Sequence, residues 1–94
     1  MLKLEHRRSS IEVVADILRL GVAGKSEIMY GANMSYDQLQ KYLNFLLELK
    51  LVDKAATANQ PVTYRVTKKG LQLLRNIDNM LEILEEKEPI NLPN

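Results

Sequence analysis

No cysteine occurs among the 94 residues, which excludes a disulfide framework and any thiolate metal site. That suits a reducing compartment, and a cytoplasmic location is expected. The single histidine, His6, stands near the start, so no histidine pair can hold a metal or relay a proton. No apolar run approaches the ~18 residues of a membrane span. The charged opening (Lys3, Glu5, Arg7, Arg8) lacks the apolar stretch of a secretory leader. Gly24-Lys25-Ser26 ends like a phosphate-binding loop, but Arg19 stands where that loop needs its first glycine. Glu82, Glu85, Glu86 and Glu88 read as a solvated helical face. Catalytic residues, cofactor and metal are therefore all expected to be none, and the chain is not expected to be an enzyme.

What is present fits one globular domain: 46% apolar and 27% charged residues. Net charge is only +1, yet it is unevenly spread. From Arg75 to Asn94 two bases face five acids, whereas the rest of the chain holds eleven bases against seven acids. One end is suited to a polyanion and the other to a different task.

The elements follow from caps and periodicity. Ser9 and Glu12 have capping-box spacing, and Ile11, Val14, Ala15 and Leu18 recur at helical intervals. A first helix is predicted from Arg7 to Leu20, stopped by Gly21. A short second helix spans Lys25 to Tyr30, with Gly31 available for a left-handed exit and a tight turn over Gly31 to Met34. Ser35 and Gln38 form another capping pair and open a third helix that runs to Leu49, with Leu39, Leu43 and Leu46 as its buried stripe. Leu51–Ala55 and Thr63–Val66 are β-prone and bracket a polar loop, Ala56–Pro61. Thr67 caps a fourth helix that continues to Lys87 before Pro89 ends it. The fold class is α+β, mostly α: a winged helix-turn-helix of three helices and a two-stranded wing, with an extended C-terminal helix. Residues 7–74 form the body, 68–88 the continuous last helix and 89–94 a tail.

The third helix presents Tyr36, Gln38, Gln40, Lys41 and Asn44 on its hydrophilic side, where a helix in the major groove meets base edges. Asn and Gln can pair bidentately with adenine, and Lys41 can reach guanine or a phosphate. Arg7, Arg8, Lys25, Lys54 and Arg65 surround it as candidate phosphate contacts. Lys68 and Lys69 open the fourth helix against its own dipole, which argues against a purely structural role for them. Asp37 and Glu48 repel phosphate and support an alternative, a protein-interaction module in a larger assembly. On the last helix Leu74, Ile77, Leu81 and Leu84 form a heptad seam, widened by Leu73 and Met80. Ile83 falls on the opposite face. With Leu71 and Leu74 given to the core, Ile77, Leu81 and Leu84 are left without a partner in their own chain, so Leu74, Ile77, Met80, Leu81 and Leu84 are the expected homodimer interface.

Two segments carry a resemblance. Ile28-Met29-Tyr30-Gly31-Ala32-Asn33-Met34-Ser35-Tyr36 resembles the turn of the small, about ten-kilodalton, archaeal winged-helix DNA-binding proteins. Tyr64-Arg65-Val66-Thr67-Lys68-Lys69-Gly70, followed by Leu71 and Leu74, resembles their junction between wing and last helix. The likeness covers Ile11 to Leu84. It implies a winged helix, a homodimer paired through the C-terminal helices as an antiparallel coiled coil, and double-stranded DNA as partner; it implies no enzymatic activity. This chain departs in having no Lys or Arg between Ala55 and Thr63, and in a last helix that stops at Pro89.

Overall fold

The computed structural model describes residues 9–87, so Arg7, Arg8 and the tail at 89–94 lie outside the described residues. The order is α1 (Ser10–Arg19), β1 (Val22–Ala23), α2 (Lys25–Ala32), α3 (Tyr36–Glu48), β2 (Val52–Thr57), β3 (Gln60–Val66) and α4 (Lys68–Lys87). The result is mostly helical, with four helices and one antiparallel sheet of three strands in the order β1-β3-β2.

The first helix begins at its capping box. Ser9 Oγ accepts the Glu12 N–H at 3.2 Å, and the Glu12 carboxylate accepts the Ser9 N–H at 3.0 Å. Two amides of the first turn are thus satisfied, and α1 starts at Ser10. Its inner side buries Val13, Val14, Ile17 and Leu18. Gly21, at φ 79, turns the chain into β1.

That short strand is absent from the expected two-stranded wing. Val22 pairs with Arg65 and Ala23 with Tyr64. Two residues are too few to show alternation, so nothing in their pattern announces a strand. The hairpin is also longer than expected. Strands β2 and β3 reach Thr57 and Gln60, leaving Ala58 and Asn59 as the turn, with an irregularity between Ala55 and Thr57.

Helix α2 runs two residues past Tyr30, and its left-handed exit is Asn33 (φ 54) rather than Gly31. The Met34 N–H reaches back to the Met29 carbonyl at 3.0 Å and the Asn33 N–H to Tyr30, which closes a Schellman end. Gly31 stays helical, and a Cβ there would stand 3.1 Å from the Leu20 methyls. Helix α3 closes the same way: Lys50 takes φ 62 and the Leu51 N–H bonds the Leu46 carbonyl at 2.8 Å.

Helix α4 is seated by Thr67. Its Oγ1 accepts the Gly70 N–H at 3.0 Å and donates to the carbonyls at the base of the hairpin, Lys50 (2.8 Å) and Leu51 (3.1 Å). Lys69 Nζ donates to the Leu49 carbonyl at 2.9 Å. The charge that opposes the α4 dipole therefore satisfies the C-terminal end of α3, a structural role that the sequence reading argued against.

The expected seam is where the structure corrects the sequence most. Ile77 is only 7% exposed, and Leu74 and Leu81 pack half-buried against the same core. Leu74 belongs to the core as expected, but Ile77 and Leu81, expected to lack a partner in their own chain, do have one: α4 lies against α1, and Arg19 bridges to Asp78 through two bonds of 2.9 and 3.1 Å. That pairing raises the Arg19 pKa, chiefly through the hydrogen bond. Leu71, assigned to the core, is instead exposed. What remains outward is a different stripe. Met80, Ile83 and Leu84 are exposed, Ile83 and Leu84 at 60% and 54%, whereas Leu73 packs half-buried against the core.

Candidate nucleic-acid interface

The turn from α2 to α3 is held at both ends. Asn33 supplies the left-handed step, and Ser35 caps α3 by accepting the Gln38 N–H at 3.2 Å. Leu39, Leu43 and Leu46 anchor α3 in the core, which leaves Asp37, Lys41, Asn44 and Glu48 exposed on the opposite side.

The five candidates on this helix do not share one environment. Lys41 and Asn44 stand outward. The Gln38 Oε1 accepts the Ser35 N–H at 3.1 Å, so the oxygen required for a bidentate adenine contact completes the cap. Gln40 is half-buried, and its Oε1 is enclosed without a partner among the described residues. Tyr36 opens the helix, with Lys25 Nζ 5.6 Å from its ring centroid, a cation–π distance.

The candidate phosphate contacts divide as well. Register places Lys54 opposite the buried Tyr64, and Arg65 opposite Asp53. Cross-strand partners share a face and neighbours alternate, so Lys54 and Arg65 occupy opposite faces of the hairpin. Lys54 joins Lys25, Ser26 and the carboxylate of Glu27, which accepts the Gly24 N–H at 2.8 Å, around an open cleft of about 510 Å³ between the start of α2 and the hairpin. Arg65 stands beyond it, across from a carboxylate. Tyr30, 87% exposed on α2, was not among the sequence candidates. Its signal was available, since it lies outside the Ile28 and Ala32 stripe that α2 buries.

Among the described residues no group of His, Asp and Glu is placed to hold a metal ion, and no helix is long and apolar enough to cross a membrane.

Residues 7–86 match the family model described as winged helix-turn-helix. An uncharacterized protein of Methanocaldococcus jannaschii is 28% identical over 85 residues, covering 87% of this chain and 82% of that one. Among solved structures, Sso10a-2, a DNA-binding protein from Sulfolobus solfataricus, superposes with a TM-score of 0.75. It is 30% identical, over 93% of this chain and 99% of that one. A MarR family transcriptional regulator from Silicibacter pomeroyi shares the fold at 17% identity and a TM-score of 0.68, over 87% of this chain and 59% of its own.

Proposed function

The chain belongs to the winged helix-turn-helix family, and on that premise we propose that it is a dimeric DNA-binding protein, a transcriptional regulator or chromatin-associated protein, that places α3 in the major groove. The observation that carries this reading is the outward α3 surface. Lys41 and Asn44 are exposed on it, Lys25 lies over the Tyr36 ring at its start, and Lys25 and Lys54 line the cleft between α2 and the hairpin. Asn44 can read adenine through its amide, and Lys41 meets guanine or a phosphate. Lys25 and Lys54 supply sequence-independent contacts to the backbone, as would Tyr30 through its hydroxyl. Asp37 and Glu48, exposed on the same side of α3, are repelled by phosphate, so this reading requires that both lie away from the DNA backbone. That the structural relative Sso10a-2 is a DNA-binding protein supports the same partner.

In this reading residues 7–74 form the DNA-binding body and 68–88 the helix through which two copies pair. Two bodies joined by their last helices bring two α3 helices to one duplex, which raises affinity through effective concentration.

Lys41→Glu tests the α3 assignment. Fluorescence anisotropy on a duplex at low salt should show affinity reduced about tenfold or more, because an attraction becomes a repulsion at the same site. An unchanged affinity removes α3 from the interface.

A further inference from the structure

Two clefts adjoin along α3. One, of about 450 Å³, opens among α1, α3 and α4, with Ile11, Val14, Phe45, Leu49, Ile77 and Met80 on its walls. The other, of about 360 Å³, lies between α1 and α3. Ser10, Val14 and Phe45 line both, so the two share a wall, and the second adds Lys41 and Tyr42. Lys41 and Phe45 stand one turn apart on α3. Among the described residues, Ser10 and Asn76 are the only polar residues lining the larger cleft, and no Asp or Glu lines either. Lys41 likewise has no ion-pair partner among the described residues. A cation thus stands at one end of an apolar trough.

We propose that the joined clefts bind a medium-chain fatty carboxylate, its head on Lys41 and Ser10 and its tail along Phe45 into the larger cleft. The class of ligand follows from what each end offers. The Tyr42 hydroxyl donates to Ser10 Oγ at 3.2 Å, which leaves the Ser10 hydroxyl its own hydrogen to give. An ammonium and a hydroxyl are two donors, and one carboxylate answers them with two oxygens and one negative charge. A neutral head leaves the ammonium without its counter-charge, and a cationic head is repelled. Beyond Phe45 the walls are aliphatic, and Asn76 is exposed and keeps its own hydration. An alkyl tail asks for nothing more. The larger cleft also falls within the roughly 300–1,000 Å³ of small-molecule sites, which pair apolar walls with a few polar groups.

The consequence for DNA rests on the function proposed above. Lys41 is the ammonium that α3 would bring to guanine or phosphate, so a carboxylate seated on it removes one attraction and adds a like charge. Ligand and DNA then oppose each other, by the same factor in both directions.

Isothermal titration calorimetry on the intact chain reads the site, with decanoate as probe and decanol as its uncharged counterpart. Lys41→Gln should weaken decanoate about tenfold or more and leave decanol within about twofold. Decanoate should bind about tenfold or more tighter than hexanoate, since each fully buried methylene tightens binding about fourfold. Phe45→Glu should weaken decanoate about tenfold or more; Phe45 is half exposed, so this variant should keep its helical circular dichroism. A Lys41→Gln protein that holds decanoate within about twofold of wild type, or hexanoate bound as tightly as decanoate, overturns the site. Duplex affinity at constant ionic strength should fall about fivefold or more in saturating decanoate. An unchanged duplex affinity with decanoate bound overturns the antagonism. Decanoate bound as expected by a protein that binds no duplex overturns the DNA reading and leaves the ligand site standing.

Discussion

Gly70→Ala should destabilise the chain by about 3 kcal/mol or more and lower its Tm by more than about 10 °C. Helix propensity alone predicts the reverse, because alanine in place of glycine favours a helix by up to about 1 kcal/mol. Sterics decide the sign here. A Cβ on Gly70 would overlap the Leu51 carbonyl oxygen and stand 2.7 Å from Val66 Cγ2. The carbonyl cannot withdraw cheaply, since it accepts both the Thr67 N–H at 3.0 Å and the Thr67 hydroxyl at 3.1 Å. The same contact fixes α4 to the base of the hairpin, so relief by displacement would loosen the α4 seat against α1. A thermal melt checks this, and a Tm at or above wild type would show that the approach is less tight than the structure has it.

Met80→Glu should convert the proposed dimer to a monomer, raising its Kd by about a hundredfold or more in sedimentation. Met80 lies on the outer stripe of α4 and lines the larger cleft, so each dimer would bury two unpaired carboxylates. DNA affinity should fall with it, because the two α3 helices would no longer be linked. Leu81→Glu, the substitution that the sequence seam suggests, should act differently. Leu81 packs half-buried against its own core, so that variant loses thermal stability first. A Met80→Glu protein that remains dimeric would place the interface elsewhere.

The contrast between Leu81 and Met80 shows what sequence could and could not convey. Caps and periods were legible: Ser9 with Glu12 and Ser35 with Gln38 are local chemistry, and both boxes form as their spacing requires. The helix-turn-helix order and the hairpin followed from such local signals. A helix with apolar residues on two faces was not resolvable in the same way. Helical spacing fits the inner residues Leu74, Ile77 and Leu81 as well as the outer Met80, Ile83 and Leu84, and only the position of α1 assigns each set. Ile83, a misfit on the first seam, is a regular member of the second.

The interface shows the same limit. Gln38 and Gln40 carry the side chains an adenine reader needs, but one amide oxygen is spent on the Ser35 cap and the other is enclosed. Neither fact is periodic. The separation of Lys54 from Arg65 depends on register with Tyr64 and Asp53, which strand propensity alone does not set. Asn44 and Lys41 remain because they lie opposite the buried stripe, a placement that the helical period does determine.

The dependence of affinity on salt is the most direct check on DNA as the partner. Wild-type protein titrated onto a random duplex should give a line of log affinity against log salt with slope near −5, at about −0.9 for each of six lysines. Those six are Lys25, Lys41 and Lys54 from both protomers. Absence of binding at low salt, or a slope near zero, would contradict the account.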